Sequence, residues 1–95
     1  MNAETNRIII ETLLPFHPNE IGVFGSYARS EQKPESDIDI LYDFSKTITL
    51  FDLVGIKQDL EEKLKLKIDL VSKKGLKDWI KPFVFKDLNI IYEKN

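Results

Sequence analysis

The sequence predicts an α/β (α+β) fold, a small mixed β-sheet of about four strands flanked by helices, in a single domain covering residues 1–95. Two observations carry this. Apolar stripes of helical period alternate along the chain with short β-rich runs, in the order α-β-α-β-α-β-α-β. In addition, 95 residues, 42% hydrophobic and 32% charged, suffice for one core and leave no room for a second. A core this small is only marginally able to bury its apolar surface, so homo- or hetero-oligomer formation is an expected source of stability.

Asn2 or Thr5 can cap a first helix through about Leu14, with Ile8, Ile9, Ile10, Leu13 and Leu14 on its apolar side. Pro15 and Pro18 end it, and FHPNE is expected to be a loop. Ile21, Val23 and Phe24 form a short strand that stops at Gly25, and Ser26 is expected to cap a short helix through roughly Glu31. SEQKPES is a loop with Pro34 at its centre. Asp37 to Phe44 alternates as a strand, placing Asp37 and Asp39 on one face and Ile38 and Ile40 on the other. Thr49 and Asp52 approximate a capping box for a helix to about Leu64, with Leu50, Leu53, Val54, Leu60 and Leu64 inward and Asp59, Glu61, Glu62 and Lys63 outward. Lys67 to Val71 is a third strand. Leu76, Trp79, Ile80, Phe83, Val84 and Leu88 fit a helical stripe that Pro82 interrupts, predicting two helical pieces meeting near Lys81. Asn89 to Glu93 is a last short strand.

Composition removes several kinds of chemistry. There is no cysteine, hence no disulfide, thiolate zinc site or cysteine nucleophile, and the single histidine, His17, cannot build a histidine-rich metal site. A net charge of −2 gives no whole-chain attraction to phosphate backbones, so no direct binding of duplex nucleic acid is expected. The polar start MNAETNR and the lack of a membrane-spanning apolar run predict neither signal peptide nor membrane anchor, and a cytoplasmic location.

The stretch GVFGSYARSEQKPESDID, residues 22–39, carries the chemistry. Asp37 and Asp39 project side by side from one strand, and Asp69, in the run KIDLV, can join them from a neighbouring one. Three carboxylates within about 4 Å repel by roughly 4 kcal/mol per pair at the effective dielectric of a protein surface. A fold has little reason to accept this unless a cation offsets it, and Mg²⁺ prefers such oxygen ligands together with substrate phosphates. Any one of these aspartates alone is more often the solvent face of a half-buried strand; the combination gives them meaning. Gly25 at a strand-to-helix turn lets backbone approach a ligand closely, and Ser26 adds a hydroxyl and the start of a helix. This is not a Walker A loop, which needs a longer glycine-spaced run ending in Lys-Ser or Lys-Thr.

GSYARSEQKPESDIDIL followed by KIDLV resembles the nucleotidyltransferase superfamily that includes DNA polymerase β, and within it the minimal nucleotidyltransferases (MNT), short domains often encoded beside a HEPN-domain toxin. The family pattern is Gly-Ser, ten intervening residues, Asp-x-Asp, and a later strand aspartate, matched here by Gly25-Ser26, Asp37-Ile38-Asp39 and Asp69. The resemblance covers nearly the whole chain and implies a polymerase β-like core. It implies that Gly25 and Ser26 hold the β and γ phosphates of a nucleoside triphosphate. It also implies that Asp37 and Asp39 ligate Mg²⁺, one or two ions, and that Asp69 completes a second metal position and helps activate the attacking hydroxyl. Many relatives have glycine where Ser30 follows Arg29, so a left-handed backbone there is less comfortable in this chain. Arg29 either reaches a phosphate or pairs with Glu31 or Glu35.

Other residues have simpler readings. Lys73, Lys74, Lys77 and Lys81 form a basic run, expected as a solvated face or as a contact for triphosphate or an acidic partner. Trp79, Phe83, Phe85 and Tyr92 are expected mostly in the core, with some left exposed as a docking patch, and Tyr27 is expected to pack. The resemblance implies an Mg²⁺-dependent enzyme moving AMP from ATP to a hydroxyl on a HEPN-type toxin, as the antitoxin of that pair. Two alternatives stand beside it: a non-catalytic module that neutralises a partner by occlusion, and a small-molecule (antibiotic-type) nucleotidyltransferase. With no room for a separate domain to hold tRNA, a DNA duplex or a drug, the acceptor is expected on another molecule.

Overall fold

The computed structural model describes residues 2–31, 33 and 37–95. The loop around Pro34 and the Glu35 carboxylate considered as a partner of Arg29 lie outside them. Helix α1 spans Ala3–Leu13, and Asn2 caps it: its side-chain oxygen accepts from the backbone N–H groups of Glu4 (2.9 Å) and Thr5 (3.3 Å). A 3-10 turn, Leu14–Phe16, and a left-handed His17 (φ 58°) turn the chain into β1, Pro18–Phe24. The strand therefore takes in Pro18, Asn19 and Glu20, which the sequence placed in a loop. Proline's missing N–H does little harm at the first residue of a strand, and the His17 carbonyl is held by the Ser45 N–H and hydroxyl, each at 2.9 Å.

The four-residue α2, Gly25–Ala28, leads towards β2, Ile38–Phe44; α3, Leu50–Leu64, crosses to β3, Ile68–Ser72; α4, Lys81–Phe85, precedes β4, Asn89–Glu93. The strand order is β3-β2-β1-β4, with β1 antiparallel to β2 and to β4, and β2 parallel to β3. This is the small mixed sheet with flanking helices that the alternation of periods predicts. Ile38 and Ile40 on β2, with Ile21, Val23 and Ile68, bury one face of the sheet against Ile9 and Leu13 of α1 and Ile56 and Leu60 of α3. The odd residues of β2 (Asp39, Leu41 and Asp43) therefore face the other side.

Three expectations need correcting. Ser26 does not cap α2, which stops at Ala28 and not near Glu31: Phe24 occupies the cap position and Ser26 is the second residue of the helix, because the turn is made one residue earlier, at Gly25. On α3 the capping box between Thr49 and Asp52 forms with both bonds at 3.1 Å, but Leu50 (75% exposed) and Val54 (47%) are outside, and Ile56 is inside. At 100° per residue, Leu53, Ile56 and Leu64 lie within about 40° of Leu60, whereas Leu50, Val54 and Phe51 are rotated roughly 80°, 120° and 180° away. Finally, one helical piece follows β3, not two. Pro82 sits in the first turn of α4, where its missing N–H costs little, and Trp79 and Phe83 are about 70% exposed. Among the described residues no helix is long and apolar enough to cross a membrane.

Candidate nucleotide site

The ends of three strands make the site. Phe24, the last residue of β1, is the register partner of Asp39, and Asp39 is the register partner of Asp69 across the parallel β2–β3 pair. Neighbouring strands stand about 4.8 Å apart, so two carboxylates project side by side from the face that α1 and α3 do not cover. Each has a buried neighbour, Ile38 or Ile68, pointing the opposite way, which fixes the aspartates outward. The β3 edge is also anchored from α3, where the Glu61 carboxylate accepts the Ile68 N–H at 3.0 Å. Asp37 lies one residue ahead of β2 and is exposed; the ladder begins at Ile38, whose N–H reaches the Lys67 carbonyl at 2.9 Å. Among the described residues no three acidic or histidine side chains are gathered into a finished ligand set. Strand register brings Asp39 and Asp69 together and leaves Asp37 at their margin.

Gly25 closes the site from above. Its φ is +72°, and a Cβ placed there would overlap the Asp39 carboxylate. Only a residue without a side chain lets the β1–α2 turn run across that carboxylate, which is the close backbone approach expected of a ligand cradle. Burial, then the Asp69 and Asp37 charges, push the Asp39 pKa up from 3.8 to about 6, against a smaller lowering by Arg29. An all-oxygen donor pair whose negative charge is this poorly compensated suits a hard divalent cation such as Mg²⁺.

Arg29 ends α2, and its partner is not the local glutamate alone. Its NH1 donates to Asp87 Oδ2 at 2.6 Å, while its Nε stands 3.5 Å from Glu31. No local pattern marks Asp87, which is distant in sequence and follows a lysine after α4. Ser30 does adopt the left-handed conformation, φ +59°, that makes glycine the easier residue there. Tyr27 is buried, and its hydroxyl donates to Asn6 Oδ1 at 2.9 Å, tying α2 to α1. The basic run is largely spent on internal pairs: Lys73 with Glu20 at 2.7 Å, Lys74 with Asp43 at 3.4 Å and Lys81 with Asp78 at 2.9 Å. A cavity of about 230 Å³ lies at the far end of β2 beside Asp43, Ser45 and Lys74, away from the Asp39–Asp69 pair.

A family model described as nucleotidyltransferase domain matches residues 7–93. The protein adenylyltransferase MntA of Thermococcus cleftensis is 44% identical over 73 residues, which span 77% of this chain and 74% of that protein. Among solved structures, a chain of a toxin–antitoxin crystal structure with AMP-PNP superposes with a TM-score of 0.83 at 24% identity, covering 95% of this chain and 74% of that one. A chain of the tri-AMPylated Shewanella oneidensis HEPN toxin in complex with its MNT antitoxin gives 0.78 at 22% identity, covering 99% and 74%. At these identities the two structures establish the likeness of fold.

Proposed function

The chain belongs to the nucleotidyltransferase domain family, and on that premise we propose that it transfers AMP from ATP to a hydroxyl group of a partner protein, as the antitoxin of a HEPN–MNT pair in the cytoplasm. The observation that carries this is the register pairing of Asp39 with Asp69 beneath Gly25. Support for the acceptor comes from the relatives: one is a protein adenylyltransferase, and another of similar fold belongs to a complex with a tri-AMPylated toxin. Support for the nucleotide comes from the similar chain crystallised with AMP-PNP.

In this reading Asp37, Asp39 and Asp69 hold Mg²⁺, which, when bound, stabilises charge on the attacking and leaving oxygens. Gly25 and Ser26 receive the β and γ phosphates, backbone first, and Arg29 adds a fixed positive charge next to them. Asp69, the more exposed of the register pair, faces the acceptor and helps withdraw the hydroxyl proton. The acceptor oxygen then attacks the α-phosphorus in line; a new P–O bond forms, the α–β bridge breaks, and pyrophosphate leaves. Occlusion of a partner by itself has no use for two repelling carboxylates in register.

The test is label transfer. Purified protein, ATP labelled at the α-phosphate, Mg²⁺ and the co-purified partner should give a labelled partner, and Asp37→Ala or Asp39→Ala should abolish it. Label that survives loss of both aspartates would sink the catalytic assignment. Tight partner binding without transfer by the intact protein would favour occlusion.

A further inference from the structure

The geometry around Arg29 points to Asp87 as a positioning residue: we propose that it holds the guanidinium at the end of α2, just after Gly25 and Ser26, preformed for the phosphates of a nucleoside triphosphate. This rests on the nucleotide-transfer reading above. Asp87 is well placed for it. It lies between α4 and β4, where Leu88 packs so closely over Gly22 that its Cδ1 stands 2.7 Å from where a Cβ would be, and where Asn89 is already the register partner of Val23. The carboxylate is therefore carried by a segment fixed to β1, the strand that leads into Gly25. Its side chain is 16% exposed, against 66% for Glu31, and its 2.6 Å contact is the short one.

An ion pair whose arginine is 42% exposed adds little to stability, so what it can contribute is orientation of the guanidinium. A free arginine on a surface turn samples many rotamers; one nitrogen fixed by Asp87 removes most of that freedom. Among the described residues its other contact is the longer one from Nε to Glu31, which leaves NH2 for phosphate oxygens, in the planar geometry that favours bidentate contact.

The experiment measures binding of the non-cleavable α,β-methylene analogue of ATP, with Mg²⁺, by titration calorimetry on the full chain. Asp87→Asn should weaken binding about tenfold, the scale of one charge-assisted hydrogen bond, and Arg29→Ala by at least as much. The double variant should bind no worse than Arg29→Ala alone, because both changes remove one arrangement. Asp87→Glu should recover part of the loss. Arg29→Lys, which keeps the charge and loses the fork, should lose affinity with Asp87 intact. Asp87→Asn that binds like the unaltered protein, or that weakens Arg29→Ala further by its own full factor, overturns the proposal and leaves the nucleotide-transfer reading standing. Failure of the folded, unaltered protein to bind the analogue at all would overturn both.

Discussion

Asp39→Asn should make the metal-free protein more stable while removing its activity. The Asp39 carboxyl is half-buried, beside Asp69 and beneath Gly25, and its pKa of about 6 exceeds the ordinary 3.8. A carboxyl raised in this way favours the folded state only while it is protonated. Its contribution is complete below the unfolded value near 3.8 and is lost as pH rises through about 6. At pH 7.5 the ionised group therefore works against folding, by about 1–2 kcal/mol once solvent screening is discounted. Asparagine has nearly the same shape and no charge. Urea or thermal melts without metal should show the variant about 5–10 °C more stable at pH 7.5, with the gain gone near pH 4. Added Mg²⁺ should raise the melting temperature of the unaltered protein and not that of the variant, since only the former gains by binding. A variant less stable at pH 7.5, or an equal gain at both pH values, would refute the idea that repulsion is stored at this pair.

Three further substitutions separate the site from its scaffold. Gly25→Ala meets both a left-handed backbone and the Asp39 carboxylate; it should cost about 1–2 kcal/mol in a urea melt and cut label transfer at least tenfold, and near-normal transfer would contradict the cradle assigned to Gly25. Ser30→Gly relieves the positive φ at Ser30 and should stabilise by about 0.5–1 kcal/mol, the left-handed penalty less glycine's extra chain entropy; a loss of stability would show that the interactions Ser30 makes outweigh the strain. Thr49→Ala removes half of the α3 capping box and should cost about 1 kcal/mol with transfer unchanged; reduced transfer would tie the site to the start of α3.

What could be read from the sequence follows physical locality. The order of eight elements and the bounds of β4 follow from apolar periods, and the pairing of Asp39 with Asp69 follows from parity, since each is flanked by isoleucine and one other apolar residue pointing inward. The same locality explains the misses. Pro18 reads as a breaker, yet at the head of a strand proline is tolerated, so β1 began earlier than expected. Ser26 has the right chemistry for a cap, but the positive φ at Gly25 moved the helix start one residue back. Leu50 and Val54 are apolar enough for a core, and only the helix's rotation against the sheet decides that Ile56 takes that place. The partner of Arg29 was illegible for a different reason: Asp87 comes to it only when β4 pairs with β1. The stripe around Pro82 had helical period without a surface to bury it, leaving Trp79 and Phe83 in solvent.

The central claim, that Asp39 and Asp69 hold a divalent cation against a nucleotide's phosphates, is tested most directly by anomalous diffraction. Crystals grown with Mn²⁺ in place of Mg²⁺ and the α,β-methylene analogue of ATP should show a manganese peak between the two carboxylates. The ion should lie about 2.1–2.2 Å from an oxygen of each, with the phosphates turned towards Gly25 and Ser26. Manganese bound elsewhere, or a bound nucleotide with both carboxylates free of metal, would contradict the account.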